Sequence, residues 1–587
     1  MPAVLGINCL AHDTAAALVI DGRVQAFVEE ERLNRDKHTW AFPDLAIEWC
    51  LRAAGIELSD VDLVTFDYRP GVDYLRALAD ILPRLPRSAK HWAKQTYVDG
   101  WHIWKALRFR RRWNYKGRIR FVEHHLAHAA SSFLSSPFDQ AVALTIDRGG
   151  DYVSTAVYAC EGAELRPLLR VRNPHSLGEL YSAVTWWLGF APNWDEGKVM
   201  ALASFGRPTY LEDFRRMVRW ERSGRFAFDL SWAGWHDERG WLSPKFLDVY
   251  GPPRKPDEPL TSHHEDVAHA VQALTEEVAI SLAHSAARLM PGVPRLCLSG
   301  GVTLNSVMNA RILTDGPFDD VFIPAPAGDA GNSLGGALMG WHDETAKPRN
   351  WQMEHAYLGP EYADGEIRRL LDERKLAYRA VADPAQEAAA LLADGRIVGW
   401  FQGRAEAGPR ALGNRSILAD PRPAHMKDTL NHDVKHREAF RPFAPAVLAE
   451  KVGEWFEPAH ASPFMLLVLP IREDKRGQVP AVNHVDGTGR LQTVTEAANP
   501  LFYRLIEAFG RRTGVPIVLN TSFNDKGEPI VCSPQDALRT YFGTGIDALV
   551  IGSNVLEKTP GSVGRRRPTA RPKGAGAGSG SKAAAEG

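Results

Sequence analysis

The chain is poor in cysteine and keeps its five apart: Cys9, Cys50, Cys160, Cys297 and Cys532 are scattered over 587 residues. Most sit in apolar runs and read as buried thiols of a reducing compartment, which excludes a disulfide framework or a cysteine metal cluster. No stretch of about 18 uninterrupted apolar residues occurs, and no basic region before a long apolar core opens the sequence, so no membrane association and a cytoplasmic location are expected. Charge of one sign is lacking as well: a formal net charge of −1 gives no whole-chain attraction to nucleic acid. Absence of a Gly-x-x-x-x-Gly-Lys-Ser/Thr run and of a Gly-x-Gly-x-x-Gly fingerprint disfavours the P-loop and Rossmann classes.

What is present is a repeated pattern. Apolar runs flank a polar turn containing His12 and Asp13, and Asp21-Gly22 leads into a third run, so three consecutive antiparallel strands are predicted. From Ala141 the grammar returns: an apolar run reaching Asp147, a polar turn, a second run and a turn at Gly162. Such a repeat predicts duplicated halves. Two later glycine turns, one with Gly300, Gly301 and Asn305 and one with Asp329 and Asn332, read as helix openings whose backbone N–H groups suit nucleotide phosphates. Hairpins in duplicated halves with such turns are the plan of actin-like phosphotransferases.

His124 and His128 are one helical turn apart and project from one face. Spacing alone is a weak signal, because most helical histidine pairs are satisfied surface or core residues. Asp147 at a strand end and Asp329 in a glycine turn strengthen it, since they would complete a mixed nitrogen and oxygen shell suited to a divalent transition metal. Five cations, Arg410, Arg415, Lys435, Arg441 and Arg490, lie near glycine turns or strand ends, where guanidinium forks match phosphate geometry.

Jointly, several stretches carry a family resemblance. They are His12-Asp13-x-Ala-Ala-Ala-Leu18, Glu29-Glu30-Glu31-Arg32-x-x-Arg35-x-Lys37-His38, His124-His125-x-Ala127-His128, Glu196-Gly197-Lys198-x-Met200 and Leu298–Asn305. To these the C-terminal part adds Arg404-x-Glu406-x-Gly408-Pro409-Arg410 through Arg415, Lys435-x-Arg437 through Arg441, the run from Arg490, and Asn520-Thr521-Ser522-Phe523-Asn524. Over about residues 1–555 the chain resembles the O-carbamoyltransferases of antibiotic biosynthesis and nodulation-factor modification. The resemblance implies an α/β protein in which a duplicated actin-like domain is followed by a YrdC-like α/β domain, both similar to proteins of tRNA threonylcarbamoyladenosine synthesis. A Pro- and Gly-marked crossing near Glu344–Gly365 places the division at residues 1–355 and 356–558, and residues 559–587 are too rich in Gly, Ala, Ser and Arg to order themselves.

The resemblance further implies ATP and carbamoyl phosphate as co-substrates, with Mg²⁺ accompanying ATP, and a carbamoyl adenylate passed to a hydroxyl of a small-molecule acceptor. It places Fe²⁺ on His124, His128, Asp147 and Asp329, a shell that Mn²⁺, Co²⁺ or Zn²⁺ would also satisfy. It assigns donor-phosphate contacts to Lys435, Arg441 and Arg490, and hydrogen bonds to the carbamoyl and nucleotide groups to Asn520 and Ser522. His12 is then the candidate general base, Lys37 the stabiliser of the carbamoyl or leaving group, Glu196 and Lys198 supporting residues at the acceptor entrance, and a homodimer the family expectation. Because free carbamoyl adenylate hydrolyses, an internal tunnel is expected.

One basic segment breaks the neutral balance: Arg84 to Arg120 holds twelve Lys or Arg and one acid, interleaved with Trp92, Trp101, Trp104 and Trp113. Tryptophans packed inward under solvated arginines on two helices explain it better than nucleic-acid binding. Rival readings are an actin-like small-molecule kinase, a tRNA threonylcarbamoyl-type transferase and a nucleotide-dependent RNA-binding module.

Overall fold

Residues 2–9, 12–72, 104–221, 224–234 and 242–558, with 75, 76, 78, 82 and 100, are described by a computed structural model. β1 (Ala3–Asn8) pairs antiparallel with β2 (Ala15–Ile20), and β2 antiparallel with β3 (Arg23–Glu29). β1 also runs parallel to β4 (Leu63–Phe66), and β4 parallel to β5 (Arg118–Phe121). The second sheet contains β6 (Gln140–Gly150), β7 (Val153–Glu161) and β8 (Glu164–Arg172). A short ribbon of β9 (Val218–Trp220) and β10 (Phe226–Phe228) follows, before β11 (Arg295–Ser299) and β12 (Asp320–Phe322) complete that sheet in parallel. The orders β3-β2-β1-β4-β5 and β8-β7-β6-β11-β12 are one plan used twice, with the same pairing directions. The expected α/β architecture with a duplicated first half is therefore observed.

Local chemistry explains these elements. Asp21 (φ 51°) and Gly22 (φ 76°) both take the left-handed conformation that a two-residue hairpin with right-handed strand twist requires. Every residue of β1 and β4 is buried, because helix Asp44–Ala54 and helix Ala330–Thr345 cover opposite faces of the sheet. Helix Ala330–Thr345 also packs on helix His124–Phe133. A Cβ on Gly6 would strike the Ser333 carbonyl oxygen, and one on Gly335 the Ala127 carbonyl oxygen. These two glycines set the close spacing that carries Asp329, at the N-terminus of its helix, up to His124 and His128.

The second half is one nine-stranded mixed sheet built from β13 (Arg379–Ala380), β14 (Val398–Phe401), β15 (Arg415–Ala419), β16 (Ala444–Leu448), β17 (Leu467–Pro470), β18 (Thr488–Val494), β19 (Ile517–Ser522), β20 (Ala548–Ile551) and β21 (Asn554–Glu557). Their order is β13-β21-β20-β14-β15-β19-β16-β18-β17. One apolar core is continuous from Val4 through Leu358 and Phe443 to Leu556, so the halves are packed together. Polar pins reinforce the joint: Arg32 donates to the Gly408 carbonyl (2.6 Å), Gly408 N–H donates to Glu29 (2.7 Å), and Arg35 donates to the Ile530 and Pro529 carbonyls (2.7 and 2.9 Å).

Of the basic Trp-rich segment, residues 84–99 and 101–103 lie outside the described residues, as does the expected disordered tail. Trp113 packs inward and donates to Asp44 (3.1 Å), whereas Trp104 is exposed beneath the Arg108 guanidinium, so inward packing holds for the former and fails for the latter. Among the described residues no helix is long and apolar enough to cross a membrane.

Candidate active site

Helix His124–Phe133 starts on a carboxylate: Asp151 accepts the backbone N–H groups of His124 and Arg69, each at 2.9 Å. From this buried turn His124 Nε2 lies 3.4 Å from Asp147 and 3.7 Å from Asp329, and His128 Nε2 lies 3.3 Å from Asp329. One atom from each of the four side chains falls within 4.8 Å of the others. Burial disfavours a His124 imidazolium, yet the Asp147 hydrogen bond and the charges of Asp329, Asp147 and Asp67 outweigh it and raise the pKa to about 10. Burial likewise opposes the Asp147 carboxylate, but His124 and the neighbouring imidazoles hold its pKa well below the usual range. A field that retains a proton so strongly also attracts a divalent cation. Two imidazole nitrogens and two carboxylates brought within 4.8 Å of one another suit a first-row metal, so the residues fit one. The adjacent His125 is different. Thr145 (2.7 Å) and the Val153 carbonyl (2.8 Å) occupy both its nitrogens, and burial with two imidazole neighbours pushes its pKa down to about 3, so it pins the helix as a neutral ring.

His12 sits in the β1–β2 turn with Nδ1 2.9 Å from Asp13, whose other oxygen is 2.7 Å from His38 Nδ1. Asp13 (φ 57°) and His38 (φ 54°) both occupy the left-handed region, a cost the surrounding turn sustains to keep this His–Asp–His unit. Burial opposes the His12 imidazolium, but the Asp13 hydrogen bond and charge, with Asp329, raise its pKa to about 9. His38 stacks on the exposed Trp194 (centroids 5.6 Å apart, 23° between planes), and His12 meets the exposed Trp40 edge-on at 6.1 Å. Lys37 lines the same space without an ion pair or hydrogen bond among the described residues; burial pulls its pKa down against the pull of Glu31, with Arg441 adding to the fall.

His12, Lys37, Asp147 and Asp329 share one cavity of about 1470 Å³ with Arg410, Lys435, Arg437, Arg441, Arg490 and Ser522 from the other half. The cations crowd one another. Burial and Arg441 lower the Arg410 pKa to about 10 and that of Arg437 to about 9, while burial with Arg410, Arg437 and Arg441 takes Arg490 well below its ordinary value. Lys435 falls well below its ordinary value through burial and the charges of Arg437, Arg441 and Lys37. Its ammonium is seated on the end of β19 by the Asn524 carbonyl (2.7 Å), the Asn524 side-chain oxygen (2.5 Å) and the Ser522 carbonyl (3.0 Å), after a wide turn closed by Lys435 N–H to the Leu430 carbonyl. Glu438 offers partial compensation to Arg441 (3.8 Å) and is shared with Lys198 (3.1 Å), which also pairs with Asp195 (3.0 Å). So many cations for so little negative charge make a receptor for a polyanion. Glu196 lines the cavity too, accepting from Ser182 (2.7 Å) and from the Asn193 N–H (2.6 Å).

Five residues expected to contact nucleotide or donor have their polar groups engaged within the protein, although Gly301 does line the cavity. Arg415 opens β15 fully buried; its guanidinium donates to the Gln402, Asn414, Pro360 and Gly403 carbonyls and lies 3.7 Å from the Phe401 ring, so it braces the sheet instead of facing the cavity. Asn520 is buried and donates to the Ala411 carbonyl (3.1 Å) and Gln492 (2.7 Å), supporting the loop that carries Arg410. The Gly300 and Gly301 N–H groups are spent on the Ala327 carbonyl (2.8 Å) and on Asp147 (2.8 Å), which removes them as phosphate donors. Asn332 is buried with its amide nitrogen 3.3 Å from both His124 Nδ1 and His128 Nε2, a companion of the histidines rather than a nucleotide contact. Asn305 does line the cavity, but its side-chain oxygen caps helix Ser306–Asp315 through the Met308 N–H (3.1 Å).

Four residues were not singled out from the sequence. Arg437 stood inside a recognised run, Asp13 beside His12 and His38 beside Lys37. Asp67 closes β4 as an acid just beyond a strand end, a placement close to that of Asp147 on β6; burial pushes its carboxyl up to about 7.

With this geometry, comparison with known proteins is informative. Residues 3–338 match the carbamoyltransferase N-terminus family and residues 389–558 the carbamoyltransferase C-terminus family. Nodulation protein NolNO of Sinorhizobium fredii is 40% identical over 94% of this chain and 80% of its own length, and nodulation protein NolO of Bradyrhizobium diazoefficiens is 40% identical over 75% of this chain and 80% of its own. An uncharacterised protein of Synechocystis sp. is 39% identical over 95% of this chain and 97% of its own length. The chain belongs to the carbamoyltransferase family and is a carbamoyltransferase enzyme.

Proposed function

We propose that this carbamoyltransferase is ATP-dependent: it makes carbamoyl adenylate from carbamoyl phosphate and passes the carbamoyl group to a hydroxyl of a small-molecule natural product. The observation that carries this reading is the one cavity that phosphate-suited cations share with His12 and with Asp147 and Asp329 of the histidine–aspartate cluster. Donor formation consumes carbamoyl phosphate, one water and ATP: water opens the carbamoyl–phosphate bond to give carbamate and phosphate, and a carbamate oxygen then bonds to the α-phosphorus of ATP as the bond to pyrophosphate breaks and pyrophosphate leaves. Arg410, Lys435, Arg437, Arg441 and Arg490 would offset the charge that these anions bring together. In the transfer, the neutral fraction of His12, which grows as pH approaches 9, takes the hydroxyl proton at Nε2, the oxygen attacks the carbamoyl carbon, and the bond to the AMP oxygen breaks with AMP leaving on the electron pair. Asp13 keeps His12 Nδ1 protonated and steadies the imidazolium that forms. Lys37, which lines the same cavity, would neutralise the departing phosphate. A divalent metal, Fe²⁺ on the family resemblance, would be held by His124, His128, Asp147 and Asp329 and would supply Lewis acidity to adenylate phosphate oxygens. Lining of one cavity by both halves would shorten the path of the adenylate and its exposure to bulk water.

The test needs no acceptor. Protein is incubated with carbamoyl phosphate, ATP, Mg²⁺ and Fe²⁺, and pyrophosphate is followed for wild type, Arg441→Ala and His12→Asn. Pyrophosphate that requires carbamoyl phosphate and Arg441 yet survives His12→Asn supports the reading. ADP without pyrophosphate replaces it with a kinase, and neither product overturns it.

A further inference from the structure

Asp67 is a buried carboxylate with no evident reason to be there. Only 1% of it is exposed, and neither oxygen has a hydrogen bond of ordinary length; the Asn332 amide and its own backbone N–H give it weak polarisation that does not overcome burial. The chain is fixed on either side of it, by Val122 N–H to the Phe66 carbonyl (2.8 Å) and by Arg69 N–H to Asp151 (2.9 Å). An isolated buried carboxylate costs several kcal/mol unless something cationic or strongly polarised faces it. What faces it is His124: Asp67 Oδ2 lies 3.9 Å from Nδ1, the ring nitrogen opposite the Nε2 that points to Asp147 and Asp329. The Asn332 amide stands beside the same Nδ1 at 3.3 Å.

An imidazole that gives Nε2 to a cation must carry its proton on Nδ1, and that proton needs an acceptor. We propose that Asp67 is a positioning residue of the metal centre, accepting the His124 Nδ1–H and so fixing the tautomer and plane in which Nε2 meets the ion. Closing the 3.9 Å separation to an ordinary N–H···O distance takes about 1 Å of ring movement. Asp67 thus serves the bound state at the expense of the empty one. The inference rests on the metal reading of the previous subsection.

The experiment titrates Co²⁺ into metal-free full-length wild type, Asp67→Asn and Asp329→Ala, reading affinity by calorimetry, the visible ligand-field spectrum, and Tm with and without Co²⁺. Wild type is expected to bind one Co²⁺, Asp329→Ala to lose it, and Asp67→Asn to bind it about 10- to 100-fold more weakly with altered ligand-field bands. Metal-free Asp67→Asn should melt at or above wild type, because the burial cost of the carboxylate has gone while its nearest cation, His124, stands 3.9 Å off; that separates positioning from a merely structural role, which would lower the metal-free Tm and leave affinity unchanged. Equal Co²⁺ affinity and spectra for wild type and Asp67→Asn would overturn the proposal alone. Failure of wild type to bind, or no effect of Asp329→Ala, would overturn the metal reading beneath it.

Discussion

Replacing Arg490 by Met should stabilise the empty protein and cripple donor binding together. The guanidinium stands on β18 among Arg410, Arg437 and Arg441, which with burial depress its pKa well below the ordinary value, and its Nε is sealed without a partner. Methionine keeps much of the aliphatic stem and removes the charge. An uncompensated buried ion costs several kcal/mol, and discounting for the partial exposure of this side chain leaves roughly 1–3 kcal/mol to be recovered. For a cooperative unit of about 150–250 residues that corresponds to a Tm rise of several degrees, at about 2–4 °C per kcal/mol. Loss of one charge-assisted partner of a phosphate, by contrast, costs about 2–5 kcal/mol, or roughly 30-fold or more in affinity. Scanning calorimetry of wild type and Arg490→Met, with and without carbamoyl phosphate and ATP, reads both quantities. A higher Tm without ligand and a much smaller ligand-induced rise are expected. A lower Tm without ligand, with the ligand-induced rise intact, would refute the view that these cations repel one another in wait for a polyanion.

Asp13→Asn should lose stability in a pH-dependent way. The folded pKa of His12, about 9, lies above its ordinary 6.5, so the Asp13 contribution is fully present below about pH 6.5 and disappears as pH rises through 9. Urea unfolding should show a deficit of up to about 3 kcal/mol at pH 6 and little at pH 10; equal deficits at both would count against the pairing. Arg415→Ala should unfold the second half, costing about 3–5 kcal/mol, and Arg415→Lys should not restore it because an ammonium cannot span the four carbonyls; a well-folded Arg415→Ala that merely fails to bind ATP would contradict the bracing role. Gly335→Ala pushes a methyl into the Ala127 carbonyl and should separate Asp329 from the histidines, lowering Tm and abolishing Co²⁺ binding by calorimetry; unchanged binding would show that the helix spacing is not tight.

Features written in consecutive residues were legible, and features made by side-chain direction were not. Period-two runs with Asp21-Gly22 predicted the first hairpins, and the i, i+4 spacing placed His124 and His128 on one face, because both signals are local. Arg410 and Arg415 show the limit. They stand five residues apart in one run with the same chemistry, yet Arg410 remains in the loop and faces the cavity, while Arg415 begins β15, where the strand turns its side chain onto Phe401 and buried carbonyls. Gly300 and Gly301 mislead for a related reason: a glycine turn offers N–H groups in sequence, but which acceptor takes them depends on Asp147 and Ala327 arriving from elsewhere.

The distribution of charge ties site to fold more firmly than any single motif. Each of the two repeated sheets contributes an acid, Asp67 just after β4 and Asp147 within β6, and the glycine-spaced helix adds Asp329, so the surroundings of His124 are built to hold positive charge. The second half contributes loops and strands that carry Arg410, Lys435, Arg437, Arg441 and Arg490, so its part of the cavity lining is built to hold negative charge. A metal-bound adenylate has both signs at once. Lys198 bridges Asp195 of one half and Glu438 of the other at the boundary between these fields, close to Arg441. Breaking that bridge with Lys198→Met should free Glu438 to pair fully with Arg441 and so, on the proposed function, weaken pyrophosphate formation from carbamoyl phosphate and ATP several-fold, although Lys198 belongs to the other half of the chain. Unchanged pyrophosphate formation in Lys198→Met would mean that the two fields are electrostatically independent.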